Sequence, residues 1–150
     1  MNKELNISYE ILKKVCIDKS YVSIELNKCL DNVNNVNTSL ITKIVYGVLE
    51  KDITLDYFIS KFVSKAPDIK IMILLKIVAY CSKAINSIPS FALVNEIVNI
   101  AKKVDRHQSG FVNAVSKKLI SSQIVLPSKE KIFKGKVLWE KLLDFLKYRA

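Results

Sequence analysis

Glycine and proline are scarce, three of each in 150 residues, which leaves few positions for the tight turns that sheets of short strands need. An all-α fold of long helices is expected instead. Cys16, Cys29 and Cys81 make an odd set with no CxxC spacing, so neither a disulfide framework nor a zinc site is expected, and a reducing cytoplasmic setting fits. Histidine occurs once, as His107, within a polar turn, where a solvated side chain is expected rather than a metal ligand. The sequence also lacks a Ser/His/Asp or Cys/His arrangement, metal-ligand spacing and a phosphate-cradling glycine loop, so neither enzymatic chemistry nor a cofactor is expected. The opening MNKELNIS lacks the basic-then-apolar order of a signal peptide, and the apolar run from Ile69 to Tyr80 is interrupted by Lys70 and Lys76. That run is too short to span a bilayer, and no membrane association is expected.

What is present is apolar and basic. Half of the residues are hydrophobic, enough for a real core in one domain. Lysine and arginine number 24 against 14 acidic residues, a net charge of +10. Such a balance favours nucleic acid or an acidic surface as partner, although it also serves solubility. Residues 127–150 are set apart by seven basic residues against three acidic ones. The chain therefore divides into a helical domain over 1–126 and a basic extension over 127–150.

Apolar residues recur at helical spacing along the chain. Ile7, Ile11, Leu12 and Val15 predict a first helix over Ile7 to Asp18; Tyr21, Ile24, Leu26 and Leu30 a second, opened by Ser20. Asn37 or Thr38 can cap a third, in which Gly47 marks a close approach between helices. A fourth starts at Asp52 or Thr54 and ends near Pro67, which suits the first turn of the next. That next segment, Ile69 to Cys81, is apolar nearly all round and reads as a central buried helix holding Cys81 as a small, inert hydrophobe.

Ser90 as cap, or Pro89 in the first turn, opens a helix carrying Leu93, Val94, Ile97, Val98 and Ala101. Another restarts at Phe111, with Gly110 in its first turn, and carries Val112, Val115 and Leu119. Asn95 and Asn113 lie among these apolar residues, and the expectation is that they hydrogen-bond backbone ends between helices, as buried amides require. In the extension, Trp139, Leu142 and Phe145 belong to a last amphipathic helix and are candidate anchors for a protein partner.

Four segments, VYGVLEKDITLDYFISKF, LKIVAY, IPSFALVNEIVNIAKK and FVNAVSKKLI, resemble in order and spacing the NusB-like helical domain. That domain occurs as the free transcription antitermination factor and as the N-terminal domain of the RsmB (Sun/Fmu) rRNA cytosine-5 methyltransferases. YVSIELNKCL and VYGVLEKDITL are more similar to the methyltransferase branch. The resemblance implies seven or so helices in two packed subdomains and an RNA-binding role, in rRNA modification or antitermination. It implies RNA contacts at Lys3, Lys13 and Lys14 of the first helix and at Asn113, Lys117 and Lys118. It permits Glu96 as a contact for a ribosomal protein, and a separate methyltransferase subunit is the other partner it suggests. The glycine-rich loop and the PC and TC cysteine motifs of the methyltransferases are lacking, so methyl transfer by this chain alone is not expected. The first helix carries lysines where free NusB carries arginines, and lysine lacks the planar fork that reads phosphate or guanine bidentately.

Overall fold

Ile71 to Cys81 are buried without interruption, and the helix that carries them is the hub of the protein. The structure, a computed structural model, describes residues 2–123. Among these residues are seven α-helices, one 3-10 turn and no strand: α1 (Asn2–Cys16), α2 (Val22–Asp31), α3 (Thr38–Glu50), α4 (Asp52–Ser60), α5 (Ile69–Ala84), α6 (Ser90–Val104), η1 (Arg106–Gln108) and α7 (Ser109–Ser121). This is the all-α bundle expected. α1 packs with α2 and α3, α5 packs with α6 and α7, and α5 also touches α1, α3 and α4, so the two groups share one continuous core.

Local chemistry sets the ends of the elements. Asn37 caps α3, its Oδ1 accepting the Leu40 amide at 3.0 Å, and Asp68 caps α5 by accepting from Lys70 N at 3.3 Å. Several expected ends differ. α1 begins at Asn2 rather than Ile7, and its added turn buries Leu5. Ser20 does not cap α2: Tyr21 holds that position without a side-chain bond, and the turn is fixed by Ser20 N donating to Lys14 O at 3.2 Å. α4 ends at Ser60, well before Pro67, because Lys61 N and Phe62 N bond back three residues to Phe58 O and Ile59 O. Pro67 precedes the cap of α5, and Pro89 occupies the cap position of α6, with Ser90 the first helical residue.

Two contacts key α5 to the α3–α4 corner. A Cβ placed on Gly47 of α3 would overlap the Tyr80 ring, so glycine there is what allows the two helices to approach, as its position in an apolar stripe suggests. Four residues earlier on α5, Lys76 is 6% exposed, and its Nζ lies 2.5 Å from Asp52 Oδ1 and 2.9 Å from Asp56 Oδ1. Burial alone would lower the Lys76 pKa, but the Asp56 and Asp52 carboxylates outweigh it and the pKa is raised. The ammonium therefore supplies stability that is complete below the ordinary lysine range, about pH 10.4, and is lost as pH rises through the raised value.

Replacing Lys76 with Met leaves Asp56, 1% exposed, without its ammonium partner. The expected loss in urea denaturation at neutral pH is about 3 to 5 kcal/mol, the cost of breaking a buried pair from one side. Adding Asp56→Asn recovers part of it. A loss below 1 kcal/mol for the single variant would show that the pair does not hold α4 on α5.

Candidate nucleic-acid interface

α6 presents three faces. Leu93, Ile97 and Ala101 point into the core. At 100° per residue, Glu96, Asn99, Ile100 and Lys103 lie to one side of that face, while Phe91, Val94, Asn95 and Val98 lie to the other. Each side lines a different surface groove.

The groove toward α1 is basic. Lys3, Asn6, Glu10 and Lys13 form one stripe along α1 at spacings of three and four residues. Facing it are Glu96, Asn99, Lys102 and Lys103 of α6, Arg106 of η1 and Lys70 at the start of α5. Two adjoining hollows of about 550 and 350 Å³ share Asn6, Ile100 and Lys103 and so form one continuous depression. Six cations, Lys3, Lys13, Lys70, Lys102, Lys103 and Arg106, stand against two carboxylates, Glu10 and Glu96. Lys13 is held in place by Glu10 at 3.2 Å and lies 5.7 Å from the centre of the Tyr9 ring. Lys102 and Lys103 sit in the last turn of α6, where the helix dipole favours positive charge. Arg106 follows because Asp105 caps the 3-10 turn, its Oδ1 accepting the His107 amide at 3.2 Å.

The groove toward α7 is apolar, about 450 Å³, lined by Phe91, Val94 and Val98 of α6 and Asn113, Lys117 and Ile120 of α7. Phe91 is 79% exposed.

The predicted residues are thus distributed rather than gathered. Lys3, Lys13 and Glu96 meet in the basic groove. Lys14 turns toward α2, 3.7 Å from the buried Glu25, which also takes Lys28 at 4.0 Å. Asn113 and Lys117 line the apolar groove, and Lys118 is exposed on α7. Asn95 is exposed and lines the groove with them, so the expectation of a buried amide tying helix ends together is corrected for it; Asn113 is half-buried in the same groove wall. Trp139, Leu142 and Phe145 lie outside the described residues. Sequence reasoning missed Lys70, Lys102, Lys103 and Arg106 as members of the basic site. Three of the four stand at helix ends, a signal too common to single them out.

A third hollow, about 440 Å³, lies beside Lys76 and is lined by Cys16, Lys19, Asp52 and Ser60 among apolar residues. It offers no activated nucleophile, since burial pushes the Cys16 thiol up, and Lys76 is already engaged by two carboxylates. Cys81, fully buried, has its thiol pushed up to about 12 by burial. Among the described residues no three His, Cys, Asp or Glu side chains are grouped to hold a metal, and no helix is long and apolar enough to cross a membrane.

Residues 5–120 match the NusB family. A protein of Bacillus subtilis (strain 168), named as a probable ribosomal RNA small subunit methyltransferase B, is 31% identical over 116 residues, covering 73% of this chain and 26% of that protein. The chain therefore spans about a quarter of that relative's length.

Tyr9, on the margin of the basic groove, is 1% exposed, and its hydroxyl has no hydrogen-bond partner among the described residues. Burial first, then the Glu10 and Asp68 charges, push its pKa from 10.0 to about 12. The unfolded chain releases this proton first, so stability falls as pH rises from 10 toward about 12. Tyr9→Phe is expected to be neutral or slightly stabilising at pH 7, because it removes an unsatisfied group. It should also flatten the alkaline fall in chemical-denaturation midpoints. An unchanged alkaline profile would contradict the assignment.

Proposed function

This chain belongs to the NusB family, and we propose that it is a non-catalytic RNA-binding domain whose contact surface is the basic groove between α1 and α6. The single observation that carries the reading is the convergence of Lys3, Lys13, Lys70, Lys102, Lys103 and Arg106 on one depression. Arg106 supplies the planar fork that the first helix lacks, so a bidentate phosphate or guanine contact comes from η1 instead of α1. Asn6 and Asn99, set between the cations, add amide donors and acceptors suited to exposed base edges of single-stranded or looped RNA. Lys14 is left out of the surface because it serves the packing of α2 on α1 through Glu25.

The RNA is ribosomal on this reading, and the setting is rRNA modification. What supports the setting is the name of the Bacillus subtilis relative as a ribosomal RNA small subunit methyltransferase. A methyltransferase subunit is then the protein partner implied. Antitermination on a nascent transcript rests on the family resemblance alone.

Fluorescence anisotropy with a labelled small-subunit rRNA fragment, titrated at rising salt, tests the proposal. Binding should weaken steeply with salt, and Lys103→Glu or Arg106→Glu should lower the slope of log K against log salt by about 1 for each cation removed. Lys65→Glu, exposed and outside the groove lining, should change little. Equal losses from Lys65→Glu and from Arg106→Glu would mean that the chain binds RNA only through its net charge.

A further inference from the structure

The groove between α6 and α7 offers what the basic groove lacks. Phosphate contacts hold a strand in place, but unpaired RNA is also gripped by stacking its bases on aromatic faces. Among the described residues lining the basic groove Tyr9 is the one aromatic, and at 1% exposure it presents no face to a ligand. On the other side of α6, Phe91 is 79% exposed. An exposed apolar side chain by itself signifies little, so its surroundings decide what it can do. Phe91 shares a hollow of about 450 Å³ with Val94 and Val98, the amides of Asn95 and Asn113, and Lys117. That volume falls within the range of small-ligand sites, about 300 to 1,000 Å³. Among the described residues neither amide is taken up by a side-chain hydrogen bond.

We propose that Phe91 is a stacking platform for an unpaired base of the same RNA strand whose phosphates lie in the basic groove, with Asn95 and Asn113 bonding to the edge of that base. This rests on the RNA-binding reading and adds to it the residues that tell unpaired RNA from paired. Each part of a nucleotide finds its complement in the hollow. The ring of Phe91 and the valines suit the faces of a base, and each asparagine amide offers a donor and an acceptor to its edge. Lys117, exposed on α7, suits the adjoining phosphate as a point charge. Continuity with the basic groove favours this occupant. Asn95, Asn99 and Lys102, at spacings of four and three residues, form one exposed ridge along α6. Asn99 and Lys102 line the basic groove and Asn95 the apolar one, so a single row of polar side chains joins the two. The crossing is one helix diameter, about 10–12 Å. Glu96, the first residue of α6 to line the basic groove, disfavours a phosphate beside it and so favours a neutral base at the crossing.

The test compares an unpaired small-subunit rRNA fragment with a blunt duplex of the same length, each labelled and titrated with the full chain at several salt concentrations. Phe91→Ala, a change at an exposed position that leaves the core intact, should weaken binding of the unpaired fragment by about tenfold. The slope of log K against log salt should stay as it was, because no phosphate contact is lost. Phe91→Trp should keep the affinity of the unaltered chain, and the duplex should bind the Phe91→Ala chain as well as it binds the unaltered one. Tyr21→Ala, which removes an equally exposed aromatic from the start of α2, should change nothing. Unaltered affinity of the Phe91→Ala chain for the unpaired fragment, with Arg106→Glu still lowering the salt slope, would overturn the stacking site alone and leave the groove to a protein partner. Equal losses on fragment and duplex, or a Phe91→Trp chain as weak as Phe91→Ala, would also overturn it. An unaltered chain that binds neither RNA would remove the RNA-binding reading and the stacking site together.

Discussion

The buried ammonium of Lys76 and the two aspartates that hold it fix the helix around which everything else is arranged. α5 is buried along eleven consecutive residues, and burial by itself gives such a helix no preferred rotation, because the hydrophobic effect has no direction. Direction comes from Lys76 and Tyr80, one helical turn apart on the same face. Lys76 needs the carboxylates of α4, and Tyr80 needs the space that Gly47 leaves on α3. Since α3 and α4 are separated only by Lys51, one corner of the chain reads both markers. A rotated α5 would bury an unpaired ammonium and force the Tyr80 ring into a helix backbone. Each error is expensive in a close-packed interior.

With α5 set, α6 and α7 can be laid against it, and the properties of the surface follow from which residues of α6 are left over. Leu93, Ile97 and Ala101 are consumed by the core. What remains is a cationic flank toward α1 and an apolar flank toward α7. The division is also one of length. The apolar flank uses the first half of α6, from Ser90 to Val98, and the basic flank the second half, from Glu96 into η1. Lysines in the final turn suit the helix dipole, and an exposed phenylalanine in the first turn lies away from them. One helix therefore carries two surfaces of opposite character with little overlap.

Much of this was legible in the sequence, and the parts that were not share a cause. The helical stripes, the central buried segment, the Asn37 cap and the close approach at Gly47 are all local signals, and they are where the sequence places them. Lys76 reads locally as a break in an apolar run, because its partners Asp52 and Asp56 lie twenty or more residues upstream. The basic groove is hidden for the same reason. Lysines occur on every exposed face, and only the packing of α1 against α6 brings Lys3 and Lys103 to one depression. Asn95 is a different case. It stands two residues from both Leu93 and Ile97, hence about 200° from each, so the helical period already put it outside the core face. Proximity to apolar residues in sequence is not proximity in a helix.

The two flanks of α6 obey different physics, and that difference decides whether they can be used independently. Contacts to RNA phosphates release counterions and weaken by orders of magnitude as salt rises. Apolar docking is indifferent to screening, and excluded salts even strengthen it. Coupling between the grooves would need a shared element with two arrangements. The shared element is α6, pinned by the fully buried Leu93, Ile97 and Ala101 and close-packed on α5 and α7, which leaves it little room to shift. Occupying the apolar groove therefore has no mechanical route to the basic one.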